Sequence, residues 1–190
     1  LMVGHTFEYN AAVNKVKEYL DSGELGKLYY IYSQRLNLGR LRHDINAMWN
    51  FAPHDVSIIL YWLNKEPVSV SARGFSYLQP GIEDVAFMVL EFEEGVSAHI
   101  HISWLDPNKT RMMTLVGSNK MLVYDDVSTN SKIQIYDKGF TKKNELGSFD
   151  EFDSFAKFQL IQRAGNLVMP KFEFIEPLYV ECSHFIECIT

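Results

Sequence analysis

The stretch NFAPHD, residues 50–55, places an imidazole directly behind a proline and ahead of VSIILYWL, an almost unbroken apolar run. Proline is comfortable in the first turn of a helix, where its missing N–H would have had no partner. The pattern therefore predicts that Pro53 opens a helix, that His54 enters it, and that Val56, Ile58, Ile59, Leu60, Trp62 and Leu63 are buried by it. Asp55 then reads as a first-turn acid favoured by the helix dipole. An imidazole at a core edge suits proton transfer, because no other side chain has an unperturbed pKa near neutrality. The alternative is that His54 satisfies backbone groups at a helix start, with Asn50 as a turn or cap.

A second cluster, QRLNLGRLRHD, gathers Arg35, Asn37, Arg40 and Arg42 on and after one strand. Guanidinium groups bind phosphate in a forked geometry, so the cluster reads as a phosphate contact or as a solvated strand end. His99 and His101 project from one strand face, but with no third ligand nearby they read as a polar or interface patch rather than a metal site. Cys182 and Cys188 are the only cysteines. On a helix they would lie about 9 Å apart along the axis, beyond disulfide reach. Two free thiols fit a reducing cytoplasm.

The elements that must position these groups follow from periodicity. The chain has 190 residues, 47% of them hydrophobic and 22% charged, which suits one well-cored domain and excludes wholesale disorder. A net charge of -6 argues against a nucleic-acid surface, and no stretch approaches the roughly 20 apolar residues of a membrane span. Asn10 is a good N-cap for a helix over Ala12, Val13, Val16, Tyr19 and Leu20, which Ser22-Gly23 stops. KLYYIYSQRLNLGR is a long strand. From Val68 a meander follows: VSVSARGFSY, DVAFMVLEFEE, VSAHIHISW, TRMMTLVG, KMLVYDD and KIQIYDK. DVAFMVLEF is apolar on both faces and is expected to be central. In VSAHIHISW, Val96, Ala98, Ile100, Ile102 and Trp104 point inward; Ser97, His99, His101 and Ser103 point outward. Residues 138–158 read as an irregular excursion, LIQRAGNLVMP as a hairpin turning at Ala164-Gly165-Asn166, and Pro177 as the first turn of a last helix. The fold class is α+β, a large mainly antiparallel sheet with helices on one face. LMVG and ECIT both look like cut ends, so the chain reads as a piece of something longer.

The ordered string MVGHTF, YNAAV, SGELGKLYYIYSQR, NFAPHD, VSVSARG, SWLDPNKTRMMTLVGSNKML and EPLYVECSHFIECI resembles the C-terminal domain of the glucose-fructose oxidoreductase / inositol dehydrogenase (Gfo/Idh/MocA) family. Among its members, those that oxidise sugar nucleotides are the most similar. The resemblance implies a parent with an N-terminal Rossmann domain that binds NAD or NADP, followed by a sheet domain for substrate and commonly for subunit contacts. Residues 1–8 would be the remnant of the last Rossmann strand and linker, and 9–190 the substrate-binding and oligomerisation domain. No G-x-G occurs, so the turn that seats a pyrophosphate is not expected here. The family's Glu-Lys-Pro segment would lie upstream of Leu1; the KEP of Lys65–Pro67 has the wrong order and context.

The resemblance also implies site residues. Asn50 and His54 match the family's Asp-x-x-x-His, with His54 as proton acceptor or relay partner and Asn50 departing from the usual aspartate. An amide orients a hydroxyl but cannot stabilise an imidazolium by charge. Asn37 and Arg42 are the preferred substrate contacts, with Arg163 of QRAGN as a second phosphate candidate. Tyr9 either lines the cleft or staples the first helix. The partners so implied are a sugar or sugar-nucleotide substrate, the Rossmann domain and a second copy through the sheet. A non-catalytic domain for ligand sensing or assembly is the competing reading.

Overall fold

The computed structural model describes residues 1–39, 41–142 and 160–190. Arg40 and residues 143–158 of the anticipated excursion lie outside the described residues. A 3-10 turn, Thr6–Tyr9, leads into α1, Ala11–Asp21, capped by the Asn10 side chain, which accepts from the Ala12 amide at 2.9 Å. The long strand β1 spans Leu28–Leu38, and α2 spans Ala47–Leu63. Strands β2 (Ser69–Phe75), β3 (Val85–Glu91), β4 (Ser97–Ser103), β5 (Leu105–Gly117), β6 (Met121–Asp125), β7 (Ile133–Lys142) and β8 (Leu160–Val168) follow, then α3, Pro177–Glu187.

The strands form one sheet in the order β2-β3-β4-β1-β5-β6-β7-β8. Neighbours are antiparallel except β1 and β4, which run parallel. The meander is therefore interrupted, with β1 inserted between β4 and β5. This is the expected α+β class, with helices gathered on one face. Ile31, Ser33 and Arg35 of β1 are buried on that face, while Tyr30 and Tyr32 are exposed on the other. The core joins Val13 and Val16 of α1 and Ile58, Ile59 and Trp62 of α2 to Ile31, Ile100, Leu115 and Leu122 of the sheet. Trp62 enters it with its Nε1–H donated to the Val13 carbonyl at 2.9 Å, so its polar edge is satisfied.

Several local expectations need correction. The helix carrying His54 starts six residues before Pro53, at Ala47, because Asn46 supplies the cap: its side chain accepts from the Trp49 amide at 2.9 Å. Pro53 lies inside α2, and Asp55 is a buried mid-helix acid rather than a first-turn one. DVAFMVLEF is the second strand from an edge, not a central one. Its apolarity instead serves the helix layer on one side and ring contacts of Phe87 with Phe75 and His101 on the other. Ala164 and Gly165 continue β8 instead of turning, since β8 pairs with β7 through them. Residues 138–142, assigned to the excursion, prolong β7. Ser103, read as outward, is buried, its hydroxyl accepting from the Leu105 amide at 2.9 Å.

Asp55 is what ties α2 to the sheet. Arg35 Nε donates to its Oδ2 at 2.7 Å, Arg35 Nη2 to its Oδ1 at 3.1 Å, and Ser33 Oγ to its Oδ1 at 3.1 Å. The two charged side chains are 6% and 3% exposed. Such a pair is costly to desolvate, and removing one partner leaves the other charge stranded. Asp55→Asn is expected to lower unfolding free energy by about 3 kcal/mol or more, read from urea denaturation with an unchanged slope. An unmoved midpoint would mean that the pair does not anchor the helix.

Candidate functional site

Asn50 and His54 are four positions apart, so the helix places them on one side, about 6 Å apart along the axis. Both are half-buried. The imidazole packs against Phe7 of the 3-10 turn, ring centroids 5.2 Å apart and planes 60° to one another. Phe7 also receives the Arg35 guanidinium, whose Cζ lies 4.9 Å from the ring centroid. Among the described residues, no hydrogen bond engages the ring nitrogens of His54 or the amide of Asn50. The imidazole is thus held by packing while its nitrogens are left for another partner. Burial lowers the His54 pKa from its ordinary value, and the positive charge of Arg35 lowers it further; Arg111 and His5 act in the same direction, while Asp55 opposes. The ring is neutral at pH 7 and able to accept a proton.

The 3-10 turn that carries Phe7 is itself clamped by α3. Thr6 Oγ1 donates to Glu181 Oε2 at 2.6 Å, and the Tyr9 hydroxyl and His184 Nδ1 are 2.9 Å apart. Glu181 is the one buried residue described in α3, whose Leu178, Tyr179, Phe185 and Ile186 are exposed. Tyr9 therefore meets α3 rather than standing free beside His54. Burial and the carboxylate of Glu181 raise its pKa.

The other expected contacts are dispersed. Asn37 is half-buried two residues beyond Arg35, where the pairing of β1 with β5 is irregular between Leu36 and Leu38. Arg42 lies in the connection leading into α2, exposed and doubly bonded to Asp44 at 3.0 and 2.5 Å. That contact raises the Arg42 pKa and lowers that of Asp44. Arg163 sits on β8, donating from Nε to Asp137 at 2.9 Å and from Nη2 to the Asn119 carbonyl. Since β8 is four strands from β1, the two are roughly 19 Å apart across the sheet at ordinary strand spacing. The structure brings Asn50 and His54 together, with Asn37 and Arg42 on the segment that leads to them. It does not bring Arg163 to the same point.

A groove of about 470 Å³ follows the neighbouring flank of α2, lined by Met48, Trp49, Ala52, Pro53, Val56 and Leu60, with His5, Glu8, Ser57 and Tyr61 adding polar groups. His54 does not line it. Too few polar groups converge there to orient a polyhydroxyl ligand, so the site remains with Asn50 and His54. His99 and His101 lie on the open face of the sheet, where His101 stacks on Phe87 at 4.4 Å. Among the described residues, no three His, Cys, Asp or Glu gather as metal ligands. Phe7, Arg111 and the inward aim of Arg35 were not anticipated. One signal pointed to Arg35: it alternates in phase with Ile31 and Ser33, the face of β1 that the helices cover. Nothing local marks Phe7.

A curated relative is inositol 2-dehydrogenase 2 of Saccharopolyspora erythraea, 28% identical over 107 residues, covering 54% of this chain and 32% of that protein. Among solved structures, UDP-N-acetylglucosamine 3-dehydrogenase GnnA of Acidithiobacillus ferrooxidans superposes with a TM-score of 0.64 at 21% identity, covering 100% of this chain and 52% of that one. A putative NADPH-dependent oxidoreductase of Desulfitobacterium hafniense gives a TM-score of 0.72 at 20% identity, covering 99% and 54%. The chain thus spans about a third of the curated relative and about half of these solved ones, and at such identities the structures establish the fold. Residues 13–123, more than half of the chain, match the GFO/IDH/MocA C-terminal domain, and the chain belongs to that family.

Proposed function

We propose that this chain is the substrate-facing domain of an NAD(P)-dependent oxidoreductase that oxidises a hydroxyl of a sugar or sugar nucleotide. In this reading residues 1–8 join it to a dinucleotide-binding domain, residues 9–190 bind substrate and assemble copies, and the chain alone does not turn over. The observation that carries the reading is the imidazole of His54: held by Phe7, kept neutral by its surroundings, with its nitrogens uncommitted among the described residues. The residues present do not fit the cofactor, since no G-x-G is available to bring a helix N-terminus against a pyrophosphate. Bound on the other domain, the nicotinamide would supply hydride acceptance. What this chain does is position the hydroxyl and take its proton. Asn50 orients the hydroxyl by hydrogen bonding, and His54 accepts the proton directly or in relay.

Asn37 and Arg42 are proposed to meet the substrate beside the start of α2, and Tyr9 to border it from the 3-10 turn. In the sugar-nucleotide form of the reading, Arg42 contacts phosphate and binding exchanges the carboxylate of Asp44 for phosphate oxygens, while Arg163, remote from that point on β8, is a separate phosphate candidate held by Asp137. The open face of the sheet, with Tyr30, Tyr32 and Phe87 exposed, is proposed as the contact between copies. Two exposed free thiols, Cys182 and Cys188, fit a cytoplasmic protein. No helix among the described residues is long and apolar enough to cross a membrane. The second reading, a ligand-sensing or assembly domain, draws on Asn50, whose amide cannot balance an imidazolium as a carboxylate would.

In the full-length oxidoreductase, His54→Ala is expected to lower kcat at least tenfold with NAD(P) affinity kept, and kcat in the wild type should fall at acid pH with a midpoint below 6.5. Retained turnover in His54→Ala would end the assignment of His54 as proton acceptor. Titration calorimetry of the 190-residue chain with NAD should give background heats; micromolar binding would contradict the division of labour. Sedimentation of the same chain should show a defined oligomer, and a monomer at high concentration would remove the sheet face from the proposal.

A further inference from the structure

Phe7 touches two groups of opposite character. One is the Arg35 guanidinium, fixed by Asp55 and 4.9 Å from the ring centroid; the other is the His54 imidazole at 5.2 Å. We infer that Phe7 is a positioning residue for His54: it sets the plane of the imidazole and shields it from water, as one end of a strap that α3 holds through Thr6–Glu181 and Tyr9–His184. The inference deepens the proposed function and rests on it for its catalytic meaning, but its structural half stands on contacts alone.

Three features of the site converge on this role. The His54 ring has no hydrogen bond among the described residues to fix its χ2 angle, and such sp³–sp² torsions are intrinsically broad. Packing must therefore do the orienting, and Phe7 is the ring in contact. The turn that bears Phe7 is too short to hold its own position; it is fixed from outside. Thr6 is bonded at 2.6 Å to Glu181, and Tyr9 meets His184 at 2.9 Å, so residues on both sides of Phe7 are tied to α3. Within the turn, the Glu8 amide donates to the His5 carbonyl at 2.9 Å and the Asn10 amide to the Phe7 carbonyl at 3.0 Å, closing it onto the N-cap of α1. Finally, the guanidinium on Phe7 is immobilised by the carboxylate of the residue next to His54 in sequence. A cation over an aromatic face is attracted by the ring quadrupole, more strongly when desolvated. Arg35 thereby registers Phe7 and α2 against the same strand.

The charged and titratable groups facing the imidazole are Arg35 on β1, Arg111 on β5, His5 before the turn and Asp55 on its own helix. Three of the four disfavour the imidazolium. A ring shielded by Phe7 feels them through protein; a ring exposed by its loss feels them through water, where they are screened. Removing Phe7 should therefore move the titration of His54 upward, toward the ordinary histidine value, and loosen the ring.

The test is NMR of the 190-residue chain, with the His54 signals assigned by their loss in His54→Gln. Wild type should show dipolar contacts between the Phe7 ring and the imidazole and a titration below 6.5. Phe7→Leu, which keeps apolar volume for folding, should raise that titration and abolish the aromatic displacement of the imidazole shifts, while Phe7→Tyr should preserve both. Unchanged titration and shifts in Phe7→Leu, or a Phe7→Tyr that behaves like Phe7→Leu, would overturn the inference. In the full-length enzyme Phe7→Leu should lower kcat roughly tenfold at near-constant KM, with Phe7→Tyr restoring it. If His54→Ala lowers kcat and Phe7→Leu does not, positioning is refuted while the proton-acceptor reading stands. If the NMR result holds but His54→Ala keeps full kcat, the proton-acceptor role proposed for His54 fails, and with it the catalytic half of the inference.

Discussion

The buried ion pair between Arg35 and Asp55 sets the geometry on which everything else in this domain depends. A hydrophobic interface lets a helix slide and roll; a forked guanidinium meeting a carboxylate at 2.7 and 3.1 Å permits one register only. Ser33 adds a third bond from the same strand. Because Asp55 is adjacent to His54, fixing the carboxylate fixes the azimuth of the imidazole to within the freedom of one side chain. The pair brings no net gain over a well-packed apolar contact of the same volume. Its use is specification, and the residue specified is the one beside it.

The same pair shapes the electrostatics. Arg35 is close enough to depress the affinity of His54 for a proton, while Asp55, which neutralises Arg35, pulls the other way. The balance falls with burial and the cation. A neutral imidazole is the state a proton acceptor needs before the reaction, and a destabilised imidazolium is one that gives its proton up again. With Asn50 where a carboxylate would hold the charged form, Asp55 is the group on the helix that still favours it, and burial and the cations outweigh it. In the proposed role the amide orients, while burial and the nearby cations favour the neutral imidazole. Acidification carries a stability cost for the same reason. A histidine whose folded pKa is depressed binds fewer protons folded than unfolded, so stability declines as pH falls through 6.5 toward the folded value.

Much of the architecture is legible in the sequence because it rests on local rules. The Asn10 cap, the stop at Ser22-Gly23, and the alternation of Ala98, Ile100 and Ile102 each express a preference of a few neighbouring residues. What was not legible depends on partners distant in the chain. DVAFMVLEF is equally apolar whether its strand is central or next to an edge, and the insertion of β1 between β4 and β5 leaves no trace in any single strand. Arg35 was grouped with Arg40 and Arg42 as a surface cluster by proximity in sequence, although it follows the phase of Ile31 and Ser33. Strand parity carried the better information. Phe7 could not have been found at all, since its role is defined by Arg35 and His54, 28 and 47 positions away by residue number.

Pro53 shows where local preference yields to the site. Inside a helix it removes one backbone bond and presses on the carbonyl four residues back, at a cost of about 3 kcal/mol. Here that carbonyl belongs to Trp49, which is exposed, so water can take the place of the missing donor. The disruption falls between Asn50 and His54, the two residues that the helix must present together. An uninterrupted helix would tie this turn down at every residue; the proline leaves one rung open at the point where side chains meet solvent. The stability lost there is offset on either side, by the Asn46 cap before it and the Asp55 anchor after it. The anchor directly follows the imidazole, so the helix is held most firmly where its geometry has to be most exact.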